Sequence, residues 1–256
     1  MENKNNTFSF NRLFLLGKRQ VVGNFSGLLI AFAAIAGSLL VIALLTGYSS
    51  PTSLLNIGPL FYVVLFIGGF VFTSNIFAEL HSPQKSIPFL TLPVSKLERL
   101  VNAWLLTAIL FPILAFIAFS LVLLLAYLIL GIPIPAGAFA MLWSAKALKI
   151  VILYFITQSI FLFGAVYFRK HNFLKTLLSL FVIQNVIGLF AALVGYLLFG
   201  TFQFDGNEFV SNSSFTPGME RFFTVTIVEI AKFAFYYLTV PFFLILTWFG
   251  IKERQV

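Results

Sequence analysis

Ser95 and Glu98 stand three residues apart in "SKLE", the spacing of a capping box. In that motif the serine hydroxyl accepts the glutamate N–H, and the glutamate carboxylate accepts the serine N–H. The pair starts a helix. Other residues with chemical reach are few. A catalytic acid, base or metal ligand near a membrane interface would have to come from Glu79, His81 and His171. The two histidines lie far apart in the sequence and there is no cysteine, which argues against a thiol nucleophile or a Cys/His metal cluster.

The usual catalytic signatures are missing. Gly17-Lys18 is followed by Arg19, and no glycine stands five residues before it, so no P-loop can cradle phosphates. HExxH, GxSxG and a paired intramembrane aspartate are also absent.

Gln158-Ser159 and Gln184-Asn185 are amides and hydroxyls in the middle of two apolar runs. They have two readings: hydrogen bonds between neighbouring helices, or a polar strip lining a substrate path. Lys146 and Lys149 suit snorkelling to phosphates, and Glu229 and Lys232 suit an interfacial ion pair.

The elements that must hold these residues follow from composition. The chain has 256 residues, 60% hydrophobic and 9% charged, with mean hydropathy +1.03. A soluble domain carries roughly 25% charged residues. The fold class expected is all-α: a single polytopic transmembrane domain, 1–256, in which lipid forces every backbone group to bond within its own helix. Six spans are expected at about 25–48, 55–76, 103–130, 146–168, 174–200 and 232–251. Their centres hold no Asp, Glu, Lys, Arg or His, which argues against a proton- or sodium-coupled carrier. Pro112 and Pro241 are expected to kink the third and sixth spans.

Six spans place both termini on one side. That side holds 12 of the 16 Lys and Arg residues, and the positive-inside rule makes it cytoplasmic. The acidic residues divide evenly, so the net charge of +8 lies on that face. It suits topology and anionic headgroups, with no nucleic-acid partner. Residues 7–20 read as an amphipathic interfacial helix, with Phe10, Leu13, Phe14 and Gly17 at helical spacing. Residues 201–231 form the long extracytoplasmic loop.

Between spans two and three lies "SPQKSIPFLTLPVSKLERL". Ser82-Pro83 caps a short helix that Pro88 limits, and Pro93 breaks the chain before the Ser95 box. Ile87 and Leu90 can face apolar surroundings while Gln84 and Lys85 face water. The segment 82–94 is a short surface helix tied to both spans, so a force on it moves both.

This pattern resembles the permease subunits of ABC transporters of the type-2 (exporter) class, in a short bacterial branch. Glu79, then Leu92-Pro93-Val94-Ser95, then Glu98 carry the likeness. The end of span two lacks the acidic-Gly-Thr continuation of larger relatives, and the outer loop is modest. The resemblance implies a coupling helix in which Glu79, Pro83, Lys85, Ile87, Phe89, Leu90, Pro93, Ser95 and Glu98 meet a separate ATP-binding cassette subunit. It also implies a homodimer or pseudo-dimer of permeases in the bacterial inner membrane. No cofactor belongs to this chain; ATP and magnesium would sit on the partner ATPase. The alternatives from the residues are an ion-coupled secondary transporter, an integral membrane enzyme acting on lipid, and an assembly subunit.

Overall fold

The computed structural model describes residues 8–23, 25–81, 92–135, 137–199 and 225–253. Among the described residues all regular structure is helical. The elements are α1 (Phe10–Gly23), α2 (Phe25–Ser49), α3 (Gly58–Asn75), α4 (Ala78–His81), α5 (Lys96–Leu130), α6 (Ala145–Tyr167), α7 (Asn172–Phe199) and α8 (Ile227–Glu253). Six of them, α2, α3, α5, α6, α7 and α8, are long and apolar enough to cross a membrane. They match the six expected runs. The main shifts are at three starts: a 3-10 turn, Pro51–Asn56, precedes α3, α5 begins seven residues before position 103, and α8 begins five residues before position 232. Most of the expected outer loop, 201–224, lies outside the described residues, as does residue 7 of the interfacial helix.

α5 is longer than its expected span. Its 35 residues extend about 52 Å, against roughly 30 Å of hydrocarbon. The polar first turns, Lys96–Asn102, therefore stand beyond the apolar layer. α1 packs along this overhang, and α8 ends beside it. That end of the bundle, which also carries α4 and the α6–α7 turn, is called the basal end below.

Both prolines leave a mark, in the form of widened turns. Leu105–Leu110, just before Pro112, and Ala234–Leu238, just before Pro241, are π-helical. Proline lacks an N–H and its ring crowds the carbonyl four residues back. Widening the preceding turn relieves this. Phe111 N–H then reaches Leu106 O, and Thr239 N–H reaches Ala234 O, each five residues back.

Two cores hold the bundle. The larger joins α2, α3, α5 and α6 around Leu39, Ala43, Phe61, Leu65, Phe119 and Tyr154. Phe61 packs on Phe119 with ring centroids 4.8 Å apart. The smaller lies at the basal end, where Phe77, Leu80, Ala103, Leu162, Ala165, Val166 and Ile251 meet. α6 is the most enclosed span. α7 is the least: of its described side chains only Thr176 is buried.

Candidate functional site

The basal end of α5 is built as the capping pattern requires. Glu98 N–H donates to Ser95 Oγ at 3.1 Å, and Ser95 N–H donates to Glu98 Oε2 at 2.8 Å. Ser95 takes an extended backbone, which turns the chain into the helix. Glu98 does more than cap. Its other oxygen, Oε1, accepts the Ser9 N–H at 2.6 Å and the Arg12 guanidinium at 3.1 Å from Nε and 2.9 Å from Nη2. The carboxylate is fully buried, while Arg12 is 32% exposed. One buried carboxylate thus fastens the start of α1 to the start of α5.

The contact continues along both helices. Asn102 Nδ2 donates to Gln20 Oε1 at 2.6 Å. A methyl group added at Gly17 would stand 2.8 Å from Asn102 Oδ1, so only glycine lets α1 lie this close. Leu16 is buried in the same seam. The face of α1 that meets protein therefore runs through Arg12, Leu16, Gly17 and Gln20. Phe10 and Phe14, expected on one apolar face with Leu13 and Gly17, are 78% and 70% exposed. They form a neighbouring stripe turned away from the bundle.

The entry to α5 is held from a second direction. Arg99, 2% exposed, donates from Nη2 to Leu92 O at 3.4 Å. That carbonyl precedes Pro93. On the other side of the loop, α4 is anchored by buried Phe77 and Leu80, and His81 Nε2 donates to Ala165 O at 2.7 Å. Glu79 lies partly buried on α4. The structure thus describes Glu79, Pro93, Ser95 and Glu98 of the expected coupling set. Pro83, Lys85, Ile87, Phe89 and Leu90 lie outside the described residues, and so does the greater part of the expected surface helix.

The expected mid-span polar residues fall in two separate places. Gln158 and Ser159 are fully buried where α6 crosses α5. Gln158 Nε2 donates to Thr107 Oγ1, and Thr107 Oγ1 in turn donates to Ala103 O at 2.7 Å. Tyr154 OH donates to Thr107 O at 2.8 Å. Thr107 lies in the π turn, whose loosened backbone leaves its carbonyl open to Tyr154. Tyr154 reaches it only because Gly69 on α3 has no side chain; a Cβ there would collide with the ring and its hydroxyl. Gln158 Oε1 has no partner among the described residues. Ser159 Oγ turns back to Ile156 O at 2.6 Å.

Gln184 and Asn185 lie on α7, exposed, and Asn185 Nδ2 donates back to its own helix at Phe181 O, 2.7 Å away. The four residues do not form one strip. The knot at α5–α6 is the interhelical hydrogen bonding that mid-span amides and hydroxyls make.

Sequence reading singled out Ser95 and Glu98 but not Ser9 and Arg12, the partners of Glu98, nor Arg99, Thr107 and Tyr154. Basic residues near a membrane surface read first as topology signals, and a threonine or tyrosine inside an apolar run has no spacing that marks it. Among the described residues no group of three His, Asp or Glu side chains could hold a metal. Comparison with family models, with curated proteins and with solved structures finds no match for this chain.

Proposed function

We propose that this chain is the membrane-spanning permease subunit of an ATP-driven exporter, coupled through residues 82–94 to a separate ATPase subunit. The observation that carries the reading is the clamping of both sides of that loop. His81 is tied to Ala165 O, and Leu92, Ser95 and Glu98 are tied to Arg99, to each other and to α1. A segment held so firmly at both ends passes any push on it to α3, α5 and α1 together. Leu97, 47% exposed on the α5 overhang beyond the hydrocarbon, offers an apolar contact beside the loop. Gln158, Thr107 and Tyr154 lock α5 to α6, and the span centres hold no Asp, Glu, Lys, Arg or His, which fits energy supplied from outside the membrane.

The basic residues of α1, of the α5 start, of the α6–α7 turn and of the α8 end crowd the basal end. On this reading that end and both termini face the cytoplasm of a bacterial inner membrane. Two such subunits would form the path. α7 is the face for the second copy, because exposed Gln184 and Asn185 at mid-span find better partners in protein than in lipid.

Co-purification with an ATPase from native membranes tests the proposal. Leu90→Asp with Leu97→Asp should release the ATPase and stop ATP-linked export while the permease stays folded. If association and export both survive the pair, the coupling role is wrong. A flux driven by a proton or sodium gradient without any ATPase would replace this reading with a secondary carrier.

A further inference from the structure

The short turn between α6 and α7 shapes a cationic pocket at the basal end. α6 ends at Tyr167 and α7 starts at Asn172. Within the turn His171 takes a φ of 53°, the left-handed region that non-glycine residues rarely adopt. The turn, with Asn75 and the α4 residues Ala78 and His81, borders an open pocket of about 430 Å³. Arg169, Lys170, His171, His81 and Asn172 line it, and among the described residues no carboxylate does. Among the described residues Arg169, Lys170 and His171 have no acidic partner.

The frame of this pocket is fixed. Asn172 Nδ2 donates to Ser74 O at 3.2 Å and to Ala165 O at 3.3 Å, and His81 Nε2 donates to the same Ala165 carbonyl. Arg169 and Lys170 are exposed at its mouth. The 28-residue α7 starts here. Its first backbone bond runs from Lys175 N–H to His171 O. The N–H groups of Asn172, Phe173 and Leu174, all three of them pocket residues, precede that bond and are not used by the helix.

Arg169, Lys170 and the positive end of a long helix border the same open pocket. Their complement is a compact anion with several acceptor oxygens. The pocket joins the basal ends of two spans, which is the depth of lipid phosphates. We propose that it binds a phosphate oxyanion, with Arg169 and Lys170 supplying charge and the α7 N-terminus supplying backbone donors. The inference is independent of the exporter reading.

The test uses the purified full chain in neutral detergent, followed by thermal unfolding. The lipid probe is short-chain phosphatidylglycerol, compared with diacylglycerol of the same tails. The free-anion probe is inorganic phosphate, compared with chloride at equal ionic strength. Phosphatidylglycerol or phosphate should raise the unfolding midpoint. R169Q/K170Q should raise the half-saturating concentration about tenfold, while the charge-conserving R169K/K170R should stay near the wild-type value. K146Q/K149Q, which removes the same charge outside the pocket, should respond as wild type. A response to the lipid alone identifies a headgroup phosphate, and a response to both identifies a site open to free phosphate. The proposal is overturned if neither probe shifts the wild type. It is overturned equally if R169Q/K170Q keeps the wild-type response, or if K146Q/K149Q loses it to the same degree.

Discussion

Ser9 and Glu98 are 89 residues apart in the chain, yet the Ser9 N–H lies 2.6 Å from Glu98 Oε1. Arg12 completes the grip from one turn further along α1. The carboxylate that caps α5 is thereby also the anchor of α1. A charge in so enclosed a place is tolerable because Ser9, Arg12 and Ser95 all donate to it.

Glu98→Gln should therefore loosen α1 as well as fray the start of α5. The expected cost is about 1.5–3 kcal/mol, the range for hydrogen bonds to charged groups. Arg12→Gln should also be costly, because it leaves the fully buried Glu98 carboxylate without its counter-charge, whereas the 32% exposed Arg12 released by Glu98→Gln can rehydrate. Faster tryptic cleavage after Lys18 and Arg19, together with a non-additive double variant, is the expected signature. Additive losses with unchanged cleavage would show that the two residues do not act as a pair.

Thr107→Val removes the acceptor of the Gln158 amide inside the bundle. Interhelical bonds of this kind contribute about 1 kcal/mol in membranes. The single variant should unfold at lower SDS mole fraction. Adding Gln158→Leu should recover part of the loss, since no amide is then left buried without a partner. An unchanged Thr107→Val would show that the knot contributes nothing to holding α5 against α6.

Gly69→Ala places a methyl group inside the Tyr154 ring and hydroxyl. Tyr154 is fully buried and held by its bond to Thr107 O. The expected penalty is about 1–3 kcal/mol, typical of overpacking. Tyr154→Phe, which loses one hydrogen bond and keeps the ring, should be milder. Combining Gly69→Ala with Tyr154→Leu should be less damaging than Gly69→Ala alone. A fully tolerated Gly69→Ala, measured by SDS unfolding, would contradict this packing.

The chain has no cysteine, so single cysteines report proximity without background. In membranes, Gln184→Cys or Asn185→Cys should form a disulfide-linked dimer under mild oxidation. Gln158→Cys, buried between α5 and α6, should not. Dimers from none of the α7 positions would remove that helix as the meeting face of two copies.

Much of the architecture is legible in the chain because lipid enforces it locally. An apolar run of sufficient length must become a helix, since its backbone groups have no other partners. The six spans and the Ser95–Glu98 box follow from neighbours in sequence. The prolines announce a disturbance of the helix, although the form it takes, a π turn ahead of each, depends on how the backbone accommodates the ring.

Which faces meet is another matter. Gln158-Ser159 and Gln184-Asn185 look alike in sequence, each a polar pair in an apolar run, but one pair is enclosed between helices and the other is exposed on α7. Nothing in a local pattern separates them, because the difference lies in the contacts of α6 and α7 with other spans. Glu98 is similar. Its cap to Ser95 is a matter of three residues' spacing, while its bonds to Ser9 and Arg12 require Gly17 to let α1 approach α5. The sequence by itself determined the six apolar spans and the capped start of α5. Only the tertiary structure decided the partners of Glu98, the seat of Tyr154 against Gly69 and the pocket at the α6–α7 turn, because each depends on close approach between segments distant in the chain.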